Sequence, residues 1–386
     1  MKTFINRIVV LLVTTLFFFV EKDYVENIIY QQYETMNSSV IVDYSYIVLA
    51  LLLLYICMSN RPLQLPKFIR SYVVFYLIVV SLSFVHAMVR PQGILLFVKM
   101  SLAPLAICAL YGYIKKHTLQ KLEICFLTIL FLGLSWYIFS SRSAMFVLSG
   151  NTETVSSSAY LLLFLLPFIY SINNRYIKII GVLIVATALF LSFKRTGFIS
   201  LILSMVVYLF SVWHQNKSTI LKRLIIILTL IGIGIIVKPY FDDSMIVSRL
   251  LSISEDGGSN RDVVYNDVWN LIQNMSSSEL LFGNGWNAVA EANTLSAHND
   301  FLEIVYDQGL IATLAYLYFL LHLFKFAYIK FRHNDKIAAP IIGSIAIFAV
   351  NSTFSHIFLY PIYMLSFAAF WGYISAISYK EENVIV

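Results

Sequence analysis

What most limits this chain is the recurrence of apolar runs about the length of a bilayer, broken by short charged segments. Twelve such runs fall near residues 7–20, 40–58, 72–88, 94–113, 122–139, 158–173, 177–193, 197–213, 224–237, 301–323, 337–355 and 357–378. A helix needs roughly 20 predominantly apolar residues to cross about 30 Å of hydrocarbon. Composition agrees: 59% of the 386 residues are hydrophobic and 12% charged, too few charges to coat the two or three soluble domains that this length allows. The expected fold class is an all-α polytopic integral membrane protein with about twelve transmembrane helices. The first and ninth runs are the shortest, which leaves their ends least defined. Lys2 and Arg7 begin the chain as in a signal peptide, but no small-residue cleavage site precedes Glu21, so a retained anchor is expected.

Alternate loops differ in charge. One set, including Arg61, Lys67, Lys115, Arg175, Lys222, Lys330 and Lys380, holds 18 basic residues against four acidic ones. The other holds eight basic and 17 acidic residues, and Lys99 falls inside a span, where it needs a partner. The positive-inside rule puts the basic set, and both termini, in the cytoplasm. The net charge of +6 is thus the sum of two unlike faces and gives no indication of nucleic-acid binding. Cys57, Cys108 and Cys125 lie in or beside spans, with neither disulfide nor metal-ligand spacing.

The inner loops leave no room for a nucleotide-binding domain, and GxxxxGK[ST] is absent, which argues against an ATP-driven transporter. The outer side has segments 21–39 and 140–157 and one large loop, 238–300, between the ninth and tenth spans of a single membrane domain covering 1–386. Long loops in compact proteins are usually functional or disordered. This one carries Tyr265, Trp269, Phe282 and Trp286, so it is expected to fold. Gly257-Gly258-Ser259-Asn260 suggests a turn, with Ser259 or Asn260 capping a helix over 261–275. Val264, Val268, Leu271, Ile272 and Met275 share one face of that helix, and Asp262, Asn266 and Asn270 point away. After the glycine turn Phe282-Gly283-Asn284-Gly285-Trp286, Asp300 and Glu303 have the spacing of a capping box at the tenth helix.

Few residues there can do chemistry. Lys194-Arg195 lies in a tight outer hairpin, at the depth of lipid phosphates. Two readings are open: a pair that snorkels to headgroups, or a grip on a substrate's phosphate oxygens, which arginine holds bidentately. Arg261 opens the loop helix, where it opposes the dipole, a placement that suggests it faces an anion. His298 titrates near neutral pH when unperturbed and suits a proton acceptor. Asp300 is expected to serve as a helix cap more than as a base. Arg90, Arg142 and Lys238 are further outer cations, and His356 and Tyr360 at the last outer turn are expected to be structural. Asp242-Asp243 has no second cluster to support a metal, and Gly283-x-Gly285 follows no βαβ unit.

The order of these features resembles the O-antigen ligase/polymerase superfamily: a Lys-Arg at an outer hairpin, Arg261 eight residues before Trp269, Phe282-Gly-Asn-Gly, then Ala297-His298-Asn299 with Gly309 beyond. The likeness covers roughly 190–320 at motif level and the rest as hydropathy. It implies a GT-C-like glycosyltransferase of the bacterial cytoplasmic (inner) membrane, acting on its periplasmic face. The donor would be a glycan on undecaprenyl pyrophosphate, with no nucleotide sugar, cofactor or metal. By resemblance Arg195 and Arg261 would neutralise the pyrophosphate, with His298 activating the acceptor hydroxyl and Asn299 supporting it. Lys194, Asp300, Arg142 and Trp286 join them as expected substrate-binding residues. Partners implied are the lipid-linked oligosaccharides, membrane lipids, a chain-length regulator and a flippase.

The superfamily divides by acceptor, a lipid-linked repeat unit for a polymerase and lipid A-core for a ligase. The aromatic content, Tyr 25 and Phe 30, fits an O-antigen polymerase better. Two other classes are weighed. A lipid-linked oligosaccharide flippase would be expected to show inverted repeats and midplane charges, and neither is seen beyond Lys99. A transferase using a polyprenyl monophosphate sugar would carry an acidic pair in the first outer loop, where Glu21-Lys22-Asp23 stands.

Overall fold

The computed structural model describes residues 40–60, 64–87, 93–117, 133, 159–192, 194–215, 257–293, 296–358 and 360–384. The runs near 7–20 and 224–237, and that near 122–139 apart from Gly133, lie outside them, as do segments 21–39 and 140–157 with Arg142, loop residues 238–256, Arg90 and Cys125. Among the described residues there are helices and no strand. They are α1 (Val40–Asn60), α2 (Lys67–Ala87), α3 (Gly93–Lys116), α4 (Ala159–Ser171), α5 (Arg175–Ser192) and α6 (Arg195–Gln215). The outer loop and the last third supply α7 (Gly257–Gln273), α8 (Ser277–Phe282), α9 (Ala288–Asn293), α10 (Asp300–Arg332), α11 (Ala338–Phe354) and α12 (Pro361–Val384).

Every apolar run within the described residues is a helix. Segments Phe97–Lys116, Arg195–Gln215 and Asp300–Arg332 are long and apolar enough to cross a membrane; Tyr44–Asn60, Ala159–Ser171 and Ala338–Phe354 are shorter apolar helices. Several helices outrun their hydropathy limits. α10 continues to Arg332 because Lys325, Lys330 and Arg332 favour helix as well as leucine does. Hydropathy marks the hydrocarbon, not the end of the backbone ladder.

The core is aromatic. Trp371 of α12 donates its indole N–H to Ser344 Oγ at 3.1 Å, and its ring lies 5.4–5.7 Å from Phe348, Phe367 and Phe319. Tyr72 closes the cluster at 6.2 Å, so α2, α10, α11 and α12 share one packing centre. Outside it, Leu51, Leu77, Leu183, Phe210, Leu314 and Leu321 are each more than half exposed. In water such faces would associate; lipid makes them neutral. Lys99, within α3, sits 4.5 Å over the Tyr46 ring, a partner that the sequence did not reveal.

One end of the bundle is basic. Lys115 lies 3.8 Å over the Tyr379 ring, Lys330 pairs with Asp335 at 3.1 Å, and Gln215 Nε2 donates to the Asp335 carbonyl at 2.6 Å. The links α5–α6 and α11–α12 and the start of α10 lie at the other end, beneath α7–α9. There α7 corrects the expected turn: Gly257–Asn260 is already helical, and Arg261 lies in its second turn. Glycine, serine and asparagine suit first turns as well as loops, so composition could not separate the two. The expected faces do appear. Val268 and Ile272 are buried against Val289 and Ala297, with Val264 and Met275 packed beside them, while Asp262, Asn266 and Asn270 are exposed.

Candidate active site

The site is held by a backbone-to-backbone joint. Gly309 interrupts α10 with φ 74°, and Gly283 ends α8 with φ 78°. A Cβ on Gly283 would collide with the Asp307 carbonyl, and one on Gly309 with the Leu281 carbonyl. Only glycine allows this approach. It lets Asn284 and Gly285 donate N–H to the carbonyls of Tyr306 and Asp307 at 3.0 and 2.8 Å. The Asp307 carboxylate then accepts from the N–H groups of Asn287 and Val289 at 2.8 and 2.9 Å. Trp286 is half-buried against Phe358, 5.2 Å between centroids. The Phe-Gly-Asn-Gly motif therefore docks the outer helices onto α10.

The helix entry is shifted one residue from expectation. Asn299 is the cap, its Oδ1 accepting from Phe301 and Leu302 N–H at 3.0 and 3.3 Å. Glu303 Oε1 reaches back to the N–H of His298 at 3.1 Å. Asp300 is neither the cap nor exposed to a substrate. It is fully buried, and its Oδ1 accepts from the N–H groups of Ile357 and Phe358 at 3.0 and 3.1 Å. Two N–H donors across the bundle outcompete the local cap and pin the α11–α12 link.

His298 sits where these ties converge, in the left-handed region at φ 53°. Strain of this kind in a non-glycine residue persists only when its surroundings over-determine it, and it clusters at functional sites. The Tyr265 hydroxyl reaches its carbonyl at 3.4 Å and that of Thr353 at 3.1 Å. Burial first, then the nearby charges of Arg261 and Lys194, hold the His298 imidazole down at about 4. His298 is therefore neutral at pH 7, able to accept a proton yet weakly basic until an anion offsets those cations.

Arg261 Nη1 bonds Thr196 Oγ1 at 3.3 Å, so the loop arginine stands on the first turn of α6. Tyr160 of α4 bridges Thr196 and Ser355 by side-chain hydrogen bonds, with Lys194 Nζ 5.9 Å over its ring. α6 is fixed below by polar contacts: Asn351 Nδ2 donates to Ser200 Oγ at 2.8 Å, and Ser204 Oγ donates to the Tyr170 hydroxyl at 3.1 Å. Lys194, Arg261, His298 and Asn299 thus come together. Arg195 opens α6 beside Lys194, half-buried, and the charge of Lys194 reaches the histidine.

Residues 180–317, from within α5 to the middle of α10, match the family described as O-antigen ligase. The match supports the resemblance to the O-antigen ligase/polymerase superfamily. Members of the superfamily are glycosyltransferase-like enzymes of surface-polysaccharide assembly. The matched region contains Lys194, Arg261 and His298 and stops before the α11–α12 link. No curated protein matches the sequence.

That link supplies residues the sequence did not single out as functional. His356, expected to be structural, stacks on His298 with ring centroids 4.5 Å apart, and Tyr360 lies 4.6 Å from His356. Thr196, Tyr160, Tyr265 and Glu303 also belong to the site. Thr196, next to the Lys-Arg pair, and Glu303, in the capping-box spacing, had local signals, but neither pointed to chemistry.

Proposed function

We propose that the protein is an O-antigen polymerase. It takes a glycan from undecaprenyl pyrophosphate and joins it to the acceptor sugar of a lipid-linked repeat unit on the periplasmic face of the inner membrane. The observation that carries this reading is the convergence of two cations, Lys194 and Arg261, on one neutral half-buried histidine. Two cations suit a leaving diphosphate, whose charge grows in the transition state, with Arg195 beside them on α6. His298 takes the acceptor hydroxyl's proton as that oxygen attacks the anomeric carbon, and the glycan–phosphate bond breaks toward the cations. Neither a metal nor a nucleotide sugar enters this scheme. The twelve-span topology with both termini cytoplasmic fits the charge alternation and places the site outside.

A ligase acting on lipid A-core is the second reading, favoured by the description of the matched family. A deletion strain separates them. Loss of a polymerase leaves one repeat unit on core, whereas loss of a ligase leaves none. Purified protein that lost all activity with a chelator would point instead to the metal-dependent monophosphate-sugar class.

A further inference from the structure

His356 lies 58 positions from His298 and outside the region matched to the family. Three observations set it apart from an ordinary buried histidine. Its ring lies against His298 at an interplanar angle of 21°, close to parallel, and its other neighbour is Tyr360, so three rings form one column. Its backbone is fixed from the His298 side of the fold, because Asp300 Oδ1 accepts the N–H groups of the next two residues, Ile357 and Phe358. Glu303 bridges the two segments as well. Oε1 accepts the His298 N–H and stands 4.0 Å from His356 Nδ1, while Ser296 Oγ lies 3.4 Å from the same nitrogen. Glu303 is fully buried, and its Oε2 has no hydrogen-bond partner among the described residues. Burying a carboxylate is costly unless it is paired, and the partners here are the His298 N–H and the His356 ring.

We propose that His356 is a positioning residue for the transfer reaction: its ring is the platform that fixes the plane of the His298 imidazole, backed by Tyr360 and held in place by Asp300 and Glu303. The inference rests on His298 being the proton acceptor. His298 lies just before the first turn of α10, and its side chain projects from a strained backbone. Hydrogen bonds to its N–H and carbonyl locate the backbone but leave the ring free to turn about χ1 and χ2. A flat ring at 4.5 Å removes that freedom. Misplacement of a catalytic group by about 1 Å can cost on the order of 100-fold in rate. The platform sets the orientation of the His298 ring and supplies no charge to the donor, so its loss should appear in kcat and not in donor KM.

The test uses the full-length protein in nanodiscs with a defined undecaprenyl-pyrophosphate-linked repeat unit. His356→Phe keeps a flat ring, His356→Leu keeps bulk without one, and His356→Ala keeps neither. Expected are a fall in kcat of about 30- to 100-fold for H356L and H356A, recovery to within about threefold for H356F, and donor KM within about threefold throughout. H356L and H356F have nearly the same burial, so a folding defect would appear in both, and circular dichroism and melting of each are recorded beside the rates. Wild-type kcat in H356L overturns the platform. So does H356F as slow as H356L, which would assign the role to the ring nitrogens, or a loss confined to KM. His298→Gln separates the two levels: if H298Q turns over at the wild-type rate, the parent reading fails, whereas an inactive H298Q beside a fully active H356L defeats only the platform.

Discussion

Binding of the donor should retune His298, and the size of the change follows from what surrounds it. In the free protein its imidazole titrates at about 4 against an ordinary 6.5, which makes protonation about 3.4 kcal/mol harder at 1.36 kcal/mol per pH unit. A single negative charge about 6 Å from the ring, at an effective dielectric near 20, offsets about 2.8 kcal/mol. A diphosphate carries more than one charge and also neutralises Lys194 and Arg261. In the complex His298 should therefore titrate near or above its ordinary value. The profile of kcat/KM reports the free protein and that of kcat the complex. Initial rates in nanodiscs across about pH 4 to 8 should place the acid limb of kcat/KM near 4 and that of kcat close to neutrality. Other groups face the same space: His356, held well below its ordinary value by burial, His298, Lys194 and Arg261, and the carboxylates Asp300 and Glu303. His298→Gln separates them, and separates the diphosphate's own titration, because only the limb due to His298 disappears. Coincident limbs near 4, or a kcat limb that survives in residual H298Q turnover, would refute the reasoning.

Other outcomes follow from the same geometry. Gly309→Ala forces a side chain to φ 74° and into the Leu281 carbonyl, so it should cost about 3 kcal/mol or more, read as a lower melting temperature. Asn299→Ala removes a cap that serves two N–H groups and should cost about 1 kcal/mol. Asp300→Ala leaves two buried N–H donors unmade and should destabilise by about 2 to 4 kcal/mol, while Asp300→Asn, which keeps a carbonyl acceptor, should cost less than half of that. Acid should weaken the fold through His298. Its folded value lies below the unfolded one, so its contribution is intact above about 6.5 and is lost as pH falls from there toward 4; thermal melts of H298Q should show a shallower decline over that interval.

Much of the helical layout was legible because hydrocarbon imposes one period on everything it touches. Runs at 40–58, 94–113 and 337–355 became α1, α3 and α11 with shifts of a few residues at most. The polar residues were harder. Arg195, Arg261 and His298 stood out as chemistry-bearing groups on an acidic face, and the structure puts Arg261 and His298 with Lys194, the neighbour of Arg195. The cap at α10 was placed one residue late, at Asp300 instead of Asn299, because both types cap helices and the deciding contact is with Ile357 and Phe358 on another helix pair. His356 was unreadable for the same reason. A stack between residues 58 positions apart leaves no trace in local spacing, and neither does the field of two cations that lowers His298.

The break at Gly309 has a consequence for the height of the site. At 1.5 Å per residue, α6 rises about 31 Å from Gln215 to Arg195, close to the thickness of hydrocarbon. α10 shares its lower end with α6 through the Gln215–Asp335 contact. As a straight rod its 33 residues would stand about 50 Å tall. That would lift His298 some 18 Å clear of Lys194, beyond two Debye lengths at physiological salt. From Arg332 to Gly309 the rise is only about 36 Å. The glycine thus works as a ruler: it cuts a long helix to nearly the length of a short one, so that His298 and Lys194 meet at one level.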